Sequence, residues 1–237
     1  MCNTLFKNAR LILPTGIFPG ELLVKDDKIE AVSINHSLPH LEAQHTVDVN
    51  GKYLSPGFIE THTHGAGGFD FMDGDLDSIY GACRSHLCHG TTSIVPTTIT
   101  STKASLLEFI QLFNQVELTR PDMPNILGLH LEGPYFAYEQ RGAQDPKYLR
   151  APDEREYKEV LSKTDRIRRW SFAVELDGAE RFLRTLQDHG IVSSLAHSNA
   201  TTEQVFRAYE NGMRALTHFY SGMSGVRRID AFRVGGA

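Results

Sequence analysis

The sequence predicts an α/β protein built on a parallel sheet. Three observations carry that expectation. From Leu54 onward, short apolar runs rich in β-branched residues alternate with segments of helical periodicity. Six such runs occur, spaced at roughly 30 residues per strand-and-helix unit. Three of the runs follow directly on Gly90, Gly190 or Gly212, and glycine closes a helix most readily in the left-handed conformation. Short strands that are apolar throughout are buried on both faces, as in parallel sheets covered by helices. A doubly wound sheet and a (β/α)8 barrel both satisfy the pattern, the barrel needing eight strands where this chain supplies about six.

Each element follows from local composition. Residues 1–54 read as short strands, "LFKNARLIL", "GELLVKDDKIEAVS" and "HTVDV", with "KDDK" as a hairpin turn, so this part forms a small β unit. The domain boundary is placed there, with residues 55–237 as the larger domain. "PGFIETHTHG" is the first strand of the series. "DLDSIYGACRSHLCHG" is a helix, with Leu76, Ile79, Tyr80, Cys83 and Leu87 on one stripe. "TTSIVPTTI" is a strand, "KASLLEFIQLFNQV" a helix and "NILGLHLEGPY" a strand. "PDEREYKEVLSK" is a helix and "WSFAVEL" a strand. "GAERFLRTLQDHG" is a helix and "IVSSLAHS" a strand. "TTEQVFRAYENG" is a helix opened by a capping box, Thr201 with Gln204, and "MRALTHF" is the sixth strand. The charge-rich segments "DEREYKE" and "DRIRRW" read as solvated helix faces.

Bulk properties narrow the function. Of 237 residues, 41% are hydrophobic and 22% charged, the net charge is -5 and the pI about 6.1. No Lys/Arg block stands out, which argues against nucleic acid or an anionic membrane as partner. The cysteines Cys2, Cys83 and Cys88 form neither a CxxC motif nor a disulfide framework, which points to a reducing, cytoplasmic compartment. The first residues lack a signal-peptide core, and no apolar run approaches a membrane span.

The polar residues sit at strand exits. His62 and His64 end the first strand on one face, with Thr63 on the other. "LGLHLEGP" ends with His130 and Glu132, "SSLAHSN" with His197 and "ALTHFYSG" with His218. Ionisable groups at the ends of apolar runs are costly unless paired or metal-bound. Four strand ends aimed at one rim suggest a shared cation held by His62, His64, Glu132, His197 and His218. Imidazole and carboxylate ligands suit zinc, with iron, cobalt or nickel as alternatives, and one or two ions are accommodated. His130 reads as a supporting or packing residue. Glu175 closes a strand and reads equally as a rim residue or a structural one. In "CRSHLCH", Cys83 belongs to a helix stripe, which favours core packing over metal binding. "GAGGFDF" lacks the phosphate-cradling glycine spacing and reads as an active-site loop.

At "PGFIETHTHGAGGFDF", "GTTSIVPTTIT", "GLHLEGPYF", "RGAQDP", "SLAHSNAT" and "THFYSGMSG", the chain resembles the amidohydrolase superfamily and, more closely, its N-acetylglucosamine-6-phosphate deacetylase family. The resemblance implies an incomplete TIM-type (β/α)8 barrel with a small N-terminal β-sandwich part. It implies metal held by Glu132, His197 and His218, with a second ion where both His62 and His64 are present. It implies hydrolysis of an N-acetyl amide on an amino-sugar 6-phosphate, and a homodimer for full-length members. It also implies substrate contacts at Ala143, Gln144, Ser221, Gly222 and Arg228. Gln144 stands where the family often has His, and Ser221-Gly222 where it often has Asn-Ala or Asn-Gly.

The family's general base is an Asp at the end of the eighth strand, which would lie beyond residue 237, so no catalytic residue is assigned and low turnover is expected of this chain. Another amidohydrolase acting on a different amide, or an inactive metal-binding fragment, are the alternatives.

Overall fold

The computed structural model describes residues 3–38 and 43–237; Cys2 lies outside them. They separate into two compact units, one ending at Gly57 and the other spanning Phe58–Ala237.

The N-terminal unit is one five-stranded sheet. Its strands are β1 (Asn3–Leu13), β2 (Gly16–Lys25), β3 (Lys28–Ile34), β4 (His45–Asp48) and β5 (Tyr53–Leu54). The β3, β2 and β1 strands form an antiparallel meander, while β4 and β5 pair in parallel with β1. The two-residue turn between β2 and β3 falls on Asp26-Asp27, and Asp26 takes the positive φ of 54° that such hairpins favour.

The second unit is a partial (β/α)8 barrel. Its first strand is β6 (Phe58–Thr63), followed by a small antiparallel hairpin of β7 (Gly65–Ala66) and β8 (Phe69–Asp70). The series continues with α1 (Leu76–Leu87), β9 (Thr91–Pro96), α2 (Lys103–Phe113), β10 (Asn125–Ile126) and β11 (Leu129–Glu132). It then runs through α3 (Glu154–Leu161), β12 (Ile167–Phe172), α4 (Ala179–Asp188), β13 (Val192–Leu195), α5 (Thr202–Glu210) and β14 (Ala215–Leu216). A short antiparallel hairpin, β15 (Arg227–Ile229) and β16 (Phe232–Val234), closes the described residues. Every pairing among the barrel strands is parallel and between sequence neighbours: β6 with β9, β9 with β10, and β11 through β12 and β13 to β14. A parallel bridge between Thr97 and His130 joins the two groups.

Three expectations are corrected. "NILGLHLEGPY" is two strands. Gly128 breaks it at φ 144°, where an added Cβ would stand 2.4 Å from Arg168 Cγ and 2.5 Å from the Arg166 carbonyl oxygen. The strand expected to open at Trp170 begins at Ile167 and ends at Phe172. In consequence the last four residues of "DRIRRW" lie on a barrel strand and not on a solvated helix face, whereas "DEREYKE" does lie on α3 and its N-cap. The register jumps from Leu129↔Ile167 to His130↔Arg169, leaving Arg168 as the extra residue of a bulge.

The core lies between the strands and the helices. Trp170 and Phe172 of β12 stand edge-on to Phe182 of α4, each with ring centroids 4.9 Å apart. Burial of a phenylalanine side chain of this kind contributes roughly 1.5–3 kcal/mol. Cys83 is fully buried in α1 beside Ile79, and burial pushes its thiol up to about 12, so this thiol packs and does not ligate. Cys88 is exposed. The helix starts are capped as the sequence dictates: Asp75 accepts from Ser78 N–H, and Thr201 and Gln204 form the capping box. No helix among the described residues is long and apolar enough to cross a membrane.

Candidate metal centre

The barrel strands bring their exit residues to one point. Glu132, the last residue of β11, is fully buried, and four imidazoles surround its carboxylate. His218 Nε2 lies 2.8 Å from Oε1 and His197 Nε2 lies 3.2 Å from the same oxygen. His64 Nε2 lies 3.2 Å from Oε2, and His62 Nε2 lies 3.6 Å from Oε1. The donor atoms fall into two groups that share Glu132: His62, His64 and Glu132, and Glu132, His197 and His218, each within 4.8 Å of one another.

Local backbone puts them there. A register shift between Glu60 and Thr63 places a bulge at the end of β6, braced by the His62 N–H donating to Glu60 Oε1 at 2.9 Å. His62 and His64 face Glu132, while Thr63 turns its hydroxyl to His86 of α1, 3.2 Å away. His197 and His218 both take positive φ, 45° and 56°, which is costly for a residue with a Cβ and recurs at functional sites.

The tautomers are partly fixed by what the other ring nitrogen meets. His197 Nδ1 lies 2.7 Å from the Gln140 carbonyl oxygen and His64 Nδ1 lies 3.3 Å from that of Thr97. A carbonyl only accepts, so both rings carry a proton on Nδ1 and turn Nε2, the other ring nitrogen, to Glu132. His62 Nδ1 instead meets His130 Nδ1 at 3.3 Å.

Charge is arranged to match. Burial works to raise the Glu132 pKa, but hydrogen bonds from His197, His218 and His64 outweigh it and hold the carboxyl well below the usual range. The His64 pKa is raised, chiefly by its hydrogen bond to Glu132. Burial drives His62 down to about 4, so this ring is neutral at pH 7 and its approach to Glu132 is not an ion pair. His130, deeper in the barrel, is likewise held well below the usual value by burial and then by Arg169.

A cavity of about 500 Å³ opens beside the carboxylate. The residues expected to touch substrate, Ala143, Gln144, Ser221 and Gly222, all line it. Gln144 is buried and spends both ends of its amide: Nε2 donates to Glu132 Oε2 at 2.9 Å and Oε1 accepts from Thr100 N–H at 3.0 Å. It therefore holds the carboxylate in place. Arg228 is exposed on β15. "GAGGFDF" forms the hairpin β7–β8 directly after His64. Glu175 lies beyond β12 and accepts from Ser198 Oγ at 2.7 Å and from the Asn199 N–H, which ties down the loop that follows His197. A second cavity of about 470 Å³ lies between α4 and α5. Neither group of convergent donor atoms touches it, so ligand chemistry and not size selects the site.

Sequence reading missed a layer beneath the centre. Arg169, half-buried in the barrel, donates through Nη2 to Thr217 Oγ1 at 2.6 Å, Ser194 Oγ at 2.9 Å and the Leu216 carbonyl at 2.9 Å. Thr217 Oγ1 lies 3.0 Å from Ser171 Oγ, which lies 2.7 Å from His130 Nε2. The bulge at Arg168 turns Arg169 inward, and a bulge leaves no periodic signal in sequence.

Residues 53–230 match the amidohydrolase family. N-acetylglucosamine-6-phosphate deacetylase of Danio rerio is 32% identical over 98% of this chain and 59% of its own length. N-acetylgalactosamine-6-phosphate deacetylase of Shewanella sp. (strain ANA-3) is 34% identical over 78% of this chain and 46% of its own. Among solved structures, N-acetylglucosamine-6-phosphate deacetylase from Pasteurella multocida superposes with a TM-score of 0.84 at 29% identity, covering 99% of this chain and 60% of that one. The chain thus spans between about half and three-fifths of the length of the relatives it matches.

Proposed function

Starting from a chain that belongs to the amidohydrolase family, we propose that it carries the metal centre of a deacetylase that hydrolyses the N-acetyl amide of an amino-sugar 6-phosphate. Water adds to the acetyl carbon, the C–N bond breaks, and acetate and the free amine leave. The observation that carries this reading is the buried Glu132 ringed by four imidazole nitrogens at 2.8–3.6 Å.

The residues suit a divalent ion. A buried carboxylate with four imidazole Nε2 atoms converging on it brings metal-ligating groups to one point, and its imidazole and carboxylate donors favour zinc, with iron, cobalt or nickel next. Glu132, His197 and His218 would hold one ion, and His62, His64 and Glu132 a second. When bound, such an ion polarises the amide carbonyl and lowers the pKa of water toward about 7. Gln144 keeps Glu132 oriented, and the cavity edge at Ala143, Ser221 and Gly222 receives the sugar. The phosphate needs a cationic or N–H donor, and Arg228 takes that role in this reading.

Both N-acetylglucosamine and N-acetylgalactosamine relatives match this chain, so the test is a panel. Acetate release is measured from the two N-acetylhexosamine 6-phosphates and their unphosphorylated forms, with zinc and with a chelator. Slow, zinc-dependent release from a phosphorylated sugar is expected. Glu132 is the one carboxylate in the two donor groups, and as a ligand it is not free to take the water proton. Fast turnover would place the base on another residue. Release that ignores both zinc and phosphate would overturn the reading.

A further inference from the structure

Three of the four imidazoles at the centre have a second ring nitrogen whose hydrogen-bond partner is visible, and one of the three differs in kind. His64 and His197 lean on backbone carbonyls, which can only accept. His62 leans on another imidazole, His130. A neutral imidazole can give or take a proton at Nδ1, so the contact alone does not decide which nitrogen of His62 is bare. The rest of the chain of contacts narrows the choice to two settings. His130 is fully buried, and its Nε2 lies 2.7 Å from Ser171 Oγ. Ser171 Oγ lies 3.0 Å from Thr217 Oγ1, and Thr217 Oγ1 lies 2.8 Å from Ser194 Oγ. Arg169 closes the far end and can only donate.

Two settings satisfy the contacts of this chain; His130 Nδ1 also lies 3.4 Å from Thr97 Oγ1, a hydroxyl that accepts in the first setting and, in the second, donates to the Val95 carbonyl. In one, Thr217 donates to Ser171, Ser171 to His130 Nε2, and His130 Nδ1–H to His62, which leaves the His62 proton on Nε2, facing Glu132. In the other, each bond runs the opposite way. His62 donates from Nδ1 to His130, His130 donates from Nε2 to Ser171, Ser171 donates to Thr217, and Thr217 donates to Ser194. Thr217 then accepts from both Ser171 and Arg169, which fills its two lone pairs. Only the second setting bares His62 Nε2.

We propose that His130 is a positioning residue for His62: it accepts the His62 Nδ1–H, passes its own Nε2–H to Ser171, and so frees His62 Nε2 for a divalent ion. The inference rests on the metal-centre reading above. It makes the hydroxyls of Ser171 and Thr217, which never touch the ion, part of what sets its affinity, and Thr217 adjoins the ligand His218 in sequence, so the two donor groups share this support.

The test combines zinc titration with ¹⁵N NMR of the histidines in the 237-residue chain and three variants. In the zinc-loaded chain, His62 is expected to carry its proton on Nδ1 and His130 on Nε2. H130F removes the acceptor and should weaken zinc binding about 10- to 100-fold, the range typical of such supporting partners. H130N keeps an acceptor oxygen near the Nδ1 position and should recover most of that loss, a split that mere loss of packing would not produce. S171A, two hydrogen bonds from His62, should weaken binding in the same direction with circular dichroism unchanged, which keeps the test valid if H130F misfolds. Zinc binding with His62 protonated on Nε2, or S171A and H130N indistinguishable in affinity from each other, would overturn this inference and leave the metal centre standing. No zinc binding by the unaltered chain would overturn both.

Discussion

Glu132 concentrates the chemistry of this chain in one side chain. It is the carboxylate common to both donor groups, it is fully buried, and four imidazoles and the Gln144 amide surround it. Replacing it with Gln keeps size and removes charge. E132Q is expected to abolish stoichiometric zinc binding, read by metal analysis after dialysis. A second prediction concerns protons. His64 has a pKa raised above the ordinary 6.5 by its bond to Glu132, so it is protonated below that raised value and must lose the proton to ligate. Zinc affinity should therefore fall as pH drops through the raised value and below. Calorimetry in buffers of different ionisation enthalpy should register proton release on binding. His62, held near 4, is already neutral and adds nothing to that release near neutral pH.

The elements are held in register by a few backbone choices. Gly128 separates β10 from β11 at a φ that side chains rarely adopt, against the Arg166 carbonyl and the Arg168 side chain. G128A has no room, and strain of this kind costs about 1–3 kcal/mol. A lowered Tm is expected by thermal melting. Zinc affinity should drop with it, because His130 and Glu132 follow within four residues on the same strand. At the other end of the scale, Thr201 caps α5 through a reciprocal pair with Gln204. T201A should cost about 1 kcal/mol and leave zinc binding unchanged, since α5 supplies no ligand.

At the scale of the whole molecule, the parallel sheet has two open edges among the described residues: β6 pairs with β9 alone and β14 with β13 alone. Both edges are apolar. Phe58 and Ile59 on β6 are 65% exposed, and Leu216 on β14 stands beside exposed Phe206 and Tyr209 of α5. Unpaired strand edges next to exposed aromatic surface invite pairing with a second copy. The chain is expected to self-associate with rising concentration in sedimentation velocity, and a single concentration-independent monomer would contradict this.

The alternation of apolar runs with helical stripes was sufficient, from sequence alone, to specify a parallel α/β architecture, because buried parallel strands are apolar throughout and their helices carry one stripe. The ionisable residues at strand exits were legible for the same reason: His62, His64, Glu132, His197 and His218 interrupt runs that otherwise exclude them. Three-dimensional packing decided the rest. Arg169 reads as one more charge in "DRIRRW", and only the bulge at Arg168 turns it into the barrel. The hydroxyls of Ser171, Ser194 and Thr217 are unremarkable residues in sequence and become a connected layer only when adjacent strands pair in register. Side-chain periodicity records which face a residue takes along its own strand. Which groups meet across strands depends on register, and register is a property of the folded sheet.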